Sequence, residues 1–278
     1  MVKIGQFNRL SVIEVFPFGY ALSEVGNLSE EPIMLKDTSQ AFTTDQEVDV
    51  FVYTHADGSL LASLQKPKVM LDEFAALVTV GASVHGCFFD WGIKPDLYAP
   101  EGQLHTDLDI GSRYVVRLLQ DKLGKLVATT KIERFLSEHT YSLAPNQAVS
   151  LLIYGKTPLG YKAIVDNKYQ GLLFKSDLIT SVSVGDHIDG YIKNVRDDGK
   201  LDLCLQTQTP HARLSLGESI LEDLADHDGM STLTDKSSPQ EIYAKFKVSK
   251  NAYKKALGNL YKEKKIRIEQ NCLYLVKT

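Results

Sequence analysis

Cysteine is scarce in this chain of 278 residues: Cys87, Cys204 and Cys272 lie far apart, and none forms a CxxC pair. An odd, dispersed set argues against a disulfide framework and against a thiolate zinc site. A reducing cytoplasm is the expected compartment. Long apolar runs are missing as well. No stretch approaches the roughly 18 residues that a membrane span needs, and the N-terminus Met-Val-Lys-Ile-Gly-Gln-Phe has no signal-peptide core, so no membrane partner is expected. The histidines (His55, His85, His105, His139, His187, His211 and His227) show no HExxH or other ligand spacing, and no P-loop, GxSxG or GxGxxG occurs. Asp197-Asp198 precede Gly199, where Asp is favoured for local hydrogen bonding. Asp226-His227-Asp228-Gly229 lacks the remaining spaced oxygens of a calcium loop. The chain is therefore not expected to be an enzyme or to hold a metal or cofactor.

What is present describes a folded protein: 44% hydrophobic and 24% charged residues. At roughly 150 residues per domain the length allows about two domains, and more if the units are small. Charge is unevenly placed. Residues 1–212 hold 19 basic and 26 acidic side chains, for −7, whereas 213–278 hold 12 and 9, for +3. Within the tail, 245–267 carries nine cations against Glu263 alone, a cluster that attracts polyanions even on a protein of net charge −4.

One design recurs three times. Glu47–Leu64, Arg113–Thr130 and Asp186–Leu205 are each an alternating stretch, a glycine turn (Gly58, Gly124, Gly199) and a second alternating stretch. Alternation is what half-buried strands require, and the glycine supplies the positive φ of a tight hairpin. Upstream lie Phe18-Gly19-Tyr20, Trp91-Gly92-Ile93 and Leu159-Gly160-Tyr161. The distances from these glycines to the hairpin glycines are 39, 32 and 39 residues. A pitch near 70 residues suits a small closed barrel, which removes the edges a small sheet would expose. Pro67, Pro145 and Pro210 fall where units would end. The expected architecture is mainly β: three tandem five-stranded barrels of OB type over residues 1–66, 67–145 and 146–210. The segment Val69–Leu77 is expected to add a turn or two of linking helix.

After Pro210 the spacing becomes helical. Leu216, Ile220, Leu221 and Leu224 share one face of a helix over Ser215–Asp226, with Gly229 as a stop signal. Ser238-Pro239-Gln240-Glu241 is a capping-box start for a short second helix, and Ser249 can cap a third. In that third helix, about Lys250 to Lys264, Tyr253, Ala256, Leu257, Leu260 and Tyr261 form the buried stripe. Ile266–Leu275 alternates around a turn near Gln270-Asn271, a β-hairpin. Three helices, the third basic, then a hairpin describe an α+β winged helix-turn-helix over 213–278.

Each barrel resembles an S1-type RNA-binding domain. The third is fullest, with Leu159-Gly160-Tyr161-Lys162-Ala163, Gly171-Leu172-Leu173-Phe174-Lys175-Ser176-Asp177-Leu178 and Val184-Gly185-Asp186. The first has Phe18-Gly19-Tyr20-Ala21, but Gly26-Asn27-Leu28 with no serine in register. Three such units plus a winged helix resemble the bacterial conserved virulence factor B family over essentially the whole chain, most specifically through Ser238–Ile266. That resemblance implies RNA binding and post-transcriptional regulation, including virulence-related expression, and no catalysis.

Single-stranded nucleic acid is held by aromatic faces that stack on bases beside cations that track phosphates, and an OB barrel uses its outer strand-two and strand-three surface for this. The candidates are Phe18 and Tyr20, then Trp91 with Lys94, then Tyr161, Lys162, Lys168, Tyr169 and Lys175. In the winged helix they are Lys247, Lys250, Asn251, Lys254, Lys255, Lys262, Lys264, Lys265 and Arg267. The lysine-rich composition points to sequence-independent phosphate contact. Unit one holds 4 basic against 9 acidic residues, which repels phosphate, while unit three balances at 7 against 7 and is the stronger RNA candidate. Single-stranded RNA is thus the expected partner. Two other readings remain open: a transcription regulator that binds DNA through the winged helix, and a protein-interaction scaffold on the translation or transcription machinery.

Overall fold

A computed structural model describes the chain except residues 1, 25–30, 56, 107, 138, 141, 179–180, 206–209, 270 and 277–278; for 210–215 only the backbone is described. Gly26-Asn27-Leu28 and Gln270 lie outside the described residues. Two compact units result, Met1–Arg134 and Phe135–Thr278.

In the first unit, β1 (Gln6–Phe16), β2 (Gly19–Ser23), β3 (Ile33–Leu35), β4 (Glu47–Thr54) and β5 (Leu60–Ser63) close a barrel in the order β1-β2-β3-β5-β4. All its pairs are antiparallel except β3 with β5. A second sheet has β6 (Phe74–Ser83), β7 (Gly86–Asp90), β8 (Leu97–Pro100), β9 (Arg113–Gln120) and β10 (Leu126–Thr129), ordered β10-β9-β6-β7-β8. This is the same barrel opened at its parallel seam: β8 and β10 lie beside one another without a recorded ladder among the described residues. Pro100, which ends β8, has no N–H to donate.

The expected helix over Val69–Leu77 is not formed. Val69–Glu73 turns, with Asp72 at φ 68°, and β6 starts at Phe74. Pairing along β9 wins over helical spacing because Phe74 and Leu77 can then enter the sheet's core. Phe51 and Tyr53 of β4 enter that same core beside Phe89, Trp91 and Leu118, so the first unit's two sheets share apolar packing.

In the second unit, β11 (Ala148–Lys156), β12 (Gly160–Val165), β13 (Tyr169–Phe174), β14 (His187–Val195) and β15 (Leu201–Cys204) repeat the closed order β11-β12-β13-β15-β14. The long first strand bends through a bulge at the same place in all three barrels: Val12/Glu14, Thr79/Gly81 and Ile153/Gly155. The hairpin glycines Gly58, Gly124 and Gly199 take φ of 93°, 80° and 78°.

A second set of glycines opens β2, β7 and β12. A Cβ at Gly19, Gly86 or Gly160 would meet a backbone carbonyl at 2.3, 2.1 and 2.1 Å, so only glycine lets the second strand approach the third there. The landmark in the second barrel is therefore Gly86, not Gly92, and the distances to the hairpin glycines become 39, 38 and 39 residues.

The chain then forms α1 (Pro210–Asp226), β16 (Met230–Ser231), α2 (Pro239–Phe246), α3 (Lys250–Lys262), β17 (Ile266–Ile268) and β18 (Leu273–Leu275). Helix α1 starts five residues before the expected Ser215, because Pro210 suits a helix's first turn rather than only ending a barrel. The wing has a third strand, β16, in the order β16-β18-β17. Ser238 and Glu241 form the capping box, and Ser249 caps α3 by accepting from the Ala252 N–H. Ile220, Leu224, Ile242, Tyr253, Ala256, Leu257 and Leu260 make the core. Tyr261, expected in that stripe, is 57% exposed: at 100° per residue it stands about 80° round the helix from Tyr253.

Candidate nucleic-acid interface

The outer surface of the third barrel is set by alternation. On β12, Tyr161 and Ala163 pack toward the core, which turns Lys162 outward. Lys162 pairs in register with Leu172 of β13. Around them a cleft of about 490 Å³ is lined by Pro158, Leu159, Gln170, Arg196 and Lys200. Leu159 stands exposed at its rim. Lys162 Nζ lies 5.9 Å from the Tyr154 ring centre, and Gln170 Nε2 donates to the Tyr154 hydroxyl at 2.7 Å. Phe174 carries two cations over its face, Lys193 at 5.6 Å and Arg196 at 6.0 Å. Hydrogen bonding and charge from Asp202 hold the Arg196 guanidinium above its ordinary pKa. Hydrogen bonds from Lys200 hold the Asp198 carboxyl below its ordinary range. Arg196 is paired with Asp202 at 2.6 Å and Lys200 with Asp198 at 3.1 Å, so the face sets cations and their carboxylate partners beside apolar surface, and cations beside apolar surface are what single-stranded nucleic acid requires.

The candidates distribute unevenly about this face. Lys168 is exposed with its ammonium 5.1 Å over the ring of Tyr169, but Tyr169 is a core residue. Lys175 is exposed, and its ammonium donates to the Pro158 carbonyl at 2.9 Å. Tyr161 is half-buried against the barrel interior and offers little free ring face. In the first unit Phe18 is 63% exposed and stacks on Phe16 at 5.3 Å. Tyr20 lies in the core with its hydroxyl donating to Gln40. Trp91, only 3% exposed, meets Phe51 and Tyr53 edge-on and donates from Nε1 to the Pro95 carbonyl. It packs the two sheets together instead of facing solvent. Lys94 is exposed and paired with Asp96 at 2.6 Å.

Corrected to the Gly86 landmark, the positions matching Lys162 and Leu172 in the second barrel are Phe88 and Tyr98. Their rings lie 5.2 Å apart. Sequence reasoning missed both, and also Phe174, although the near-constant glycine spacing could have found the first pair.

In the winged helix, Lys254 and Lys255 are exposed on α3, with Lys262, Lys264 and Lys265 exposed at its end. Lys265 pairs with Glu263, and Arg267 with Glu269 while lying over Tyr274. Lys247 takes the left-handed cap after α2, its ammonium over the Tyr243 ring. Lys250 donates to the Lys236 carbonyl at 3.3 Å. Asn251, in the first turn of α3, donates at 2.9 Å to Asp177 of the third barrel. Asp177 also accepts from Lys193 at 2.5 Å, with 1% of its side chain exposed. Among the described residues no cluster of His, Cys, Asp and Glu could hold a metal, and no helix is long and apolar enough to cross a membrane.

Residues 218–275 match the CvfB-like winged helix domain, and residues 4–65 match the S1 domain, which falls on the first barrel rather than the motif-rich third. Conserved virulence factor B of Staphylococcus epidermidis is 25% identical over 99% of this chain and 95% of its own. The Bacillus subtilis protein YitL, uncharacterized, is 26% identical over 98% and 94%. A crystal structure of a multidomain protein with nucleic acid binding domains from Streptococcus pneumoniae has 22% identity and a TM-score of 0.44, with 98% of each chain covered.

Proposed function

We propose that this chain, a member of the conserved virulence factor B family, binds single-stranded RNA in the cytoplasm and regulates gene expression after transcription, without catalysis. The observation that carries this reading is the outer face of β12 and β13. An apolar cleft rimmed by Lys162, Arg196 and Lys200 suits unstacked bases and a flanking backbone better than a duplex. The first turn of α3 supports RNA over DNA. A winged helix that reads duplex DNA sends the start of its recognition helix into the major groove, whereas here Asn251 is engaged by Asp177. Exposed Lys254 and Lys255 remain suited to phosphate contact without base reading. The name of the Staphylococcus epidermidis relative attaches that protein to virulence, and this chain is proposed to share that role.

Fluorescent single-stranded RNA, single-stranded DNA and duplex DNA, titrated against the full-length protein at two salt concentrations, test the reading. RNA is expected to bind most tightly. Lys162→Gln with Lys168→Gln should weaken RNA several-fold and lower the salt slope by about 1.4, at roughly 0.7 per lost single-strand phosphate contact. Duplex DNA binding more tightly than RNA would favour the transcription-regulator reading. No nucleic-acid binding near physiological salt would favour the scaffold.

A further inference from the structure

The first unit contains a cavity that neither barrel builds alone. It has a volume of about 450 Å³, and its lining includes His55 at the end of the first barrel's β4. From the second barrel come His85, Phe88, Leu97, Tyr98 and Lys125. The junction is held closed by the Thr54 hydroxyl, which donates to the Gly124 carbonyl at 2.9 Å. Tyr53 donates from its hydroxyl to the Lys94 carbonyl at 3.0 Å. One wall is therefore fixed by direct bonds between the barrels.

We infer that this cavity takes one unstacked nucleobase. Its size lies in the range of small-ligand pockets, about 300–1,000 Å³. The Phe88 and Tyr98 rings offer flat apolar surface: Phe88 is 38% exposed, and Tyr98 is fixed by donating its hydroxyl to the His85 carbonyl at 2.7 Å. His55 Nδ1 is engaged by Asp57 at 3.1 Å, which leaves its Nε2 and the His85 imidazole to hydrogen-bond a base edge. Net positive charge is absent, since Lys125 in the lining is matched by the Asp96 carboxylate and the 1–66 segment is net −5. A flat, polar-edged and uncharged group fits such a lining, whereas a run of phosphates does not. The pair also stands on the second and third strands of its barrel, where Lys162 and Leu172 stand in the third. The inference rests on the chain's binding nucleic acid, and it gives the acidic unit a task that does not depend on phosphate attraction. The base could come from an RNA strand or from a free nucleoside.

Trp91 is the chain's one tryptophan and forms part of the cavity wall, so its emission reports occupancy there. Full-length protein would be titrated with adenosine, with uridine and with a single-stranded RNA decamer, following Trp91 fluorescence at two salt concentrations. A saturable change is expected. Phe88→Leu, which keeps apolar volume but removes the ring, should weaken that response about tenfold. The factor should be the same at both salt concentrations, with Phe88→Tyr close to wild type and unfolding temperatures matched. Saturation by a nucleoside alone identifies a free ligand, and saturation only by the decamer identifies a base within a strand. RNA binding seen by fluorescent probe without a Trp91 response, or a response untouched by Phe88→Leu, overturns the cavity's role and leaves RNA binding intact. Absence of any nucleic-acid or nucleoside binding overturns both.

Discussion

Asp177 is buried where the third barrel meets α3, yet its carboxylate has two partners, Lys193 and Asn251. A carboxylate out of water needs such partners, and a cation left behind on the removal of its partner is costly. Asp177→Ala is therefore expected to destabilise the second unit by roughly 3 kcal/mol, near the low end for a broken buried pair because Lys193 keeps some access to water. Asn251→Ala should cost less, about 1.5–3 kcal/mol for a hydrogen bond to a charged group. Urea unfolding of the single and double variants checks both values. If the two residues act through one contact, the double variant costs clearly less than the sum. A cost below about 1 kcal/mol for Asp177→Ala would mean that the contact contributes no more than a surface ion pair. The spacing of Gly171–Leu178 marks Asp177 as part of a motif, but its partner 74 residues later in the chain is set by tertiary packing and left no local signal.

The second helix of the tail shows an element fully specified by local chemistry. Ser238 accepts from the Glu241 N–H at 3.2 Å, and the Glu241 carboxylate accepts from the Ser238 N–H at 2.8 Å. Ser238→Ala should cost about 1 kcal/mol in thermal or urea unfolding. The Ser238 backbone N–H, then its hydroxyl, holds the Glu241 pKa below the ordinary glutamate value. A depressed folded-state pKa gives stability that is complete above the unfolded-state value and is lost as pH falls through the folded one. The difference in unfolding temperature between wild type and Glu241→Ala should thus be largest near neutrality and shrink as pH drops below the glutamate range. Elements of this kind were legible in the sequence: the capped helices, the apolar face of α3 and the three hairpin glycines with positive φ. Legibility failed where distant strands decide. Val69–Leu77 has helical spacing, but Val69–Glu73 turns and Phe74–Leu77 is drawn into a sheet by β9. Trp91-Gly92 imitates the Phe18-Gly19 landmark, while the glycine that must sit under a carbonyl is Gly86. Tyr20, Tyr169 and Trp91 were candidates as aromatics beside glycine or lysine, and alternation could not say which rings the barrel interiors would take. The same limit concealed Phe88, Tyr98 and Phe174.

Across the whole chain, charge and apolar surface are divided among parts that no single part reproduces. Residues 245–267 are net +8, the 146–210 segment is neutral with Lys162, Arg196 and Lys200 about one cleft, and 1–66 is net −5. If each part holds RNA weakly, tethering converts the second contact into an intramolecular one, and affinity exceeds that of any part. Losses then combine in a particular way. Lys254→Gln with Lys255→Gln should weaken RNA binding by the full-length protein without abolishing it, as should Lys162→Gln with Lys168→Gln. The fourfold variant should lose roughly the product of the two factors, because separate contacts on one strand add as free energies. Its salt slope should fall by about twice as much as in either pair, since each lost phosphate contact removes about 0.7. Fluorescence titration over a salt series measures all three variants. A fourfold variant no weaker than one of the pairs would place the phosphate contacts in a single part and remove the case for shared binding. The predicted product would instead explain how a chain of net charge −4 holds a polyanion, through local fields joined by a common backbone.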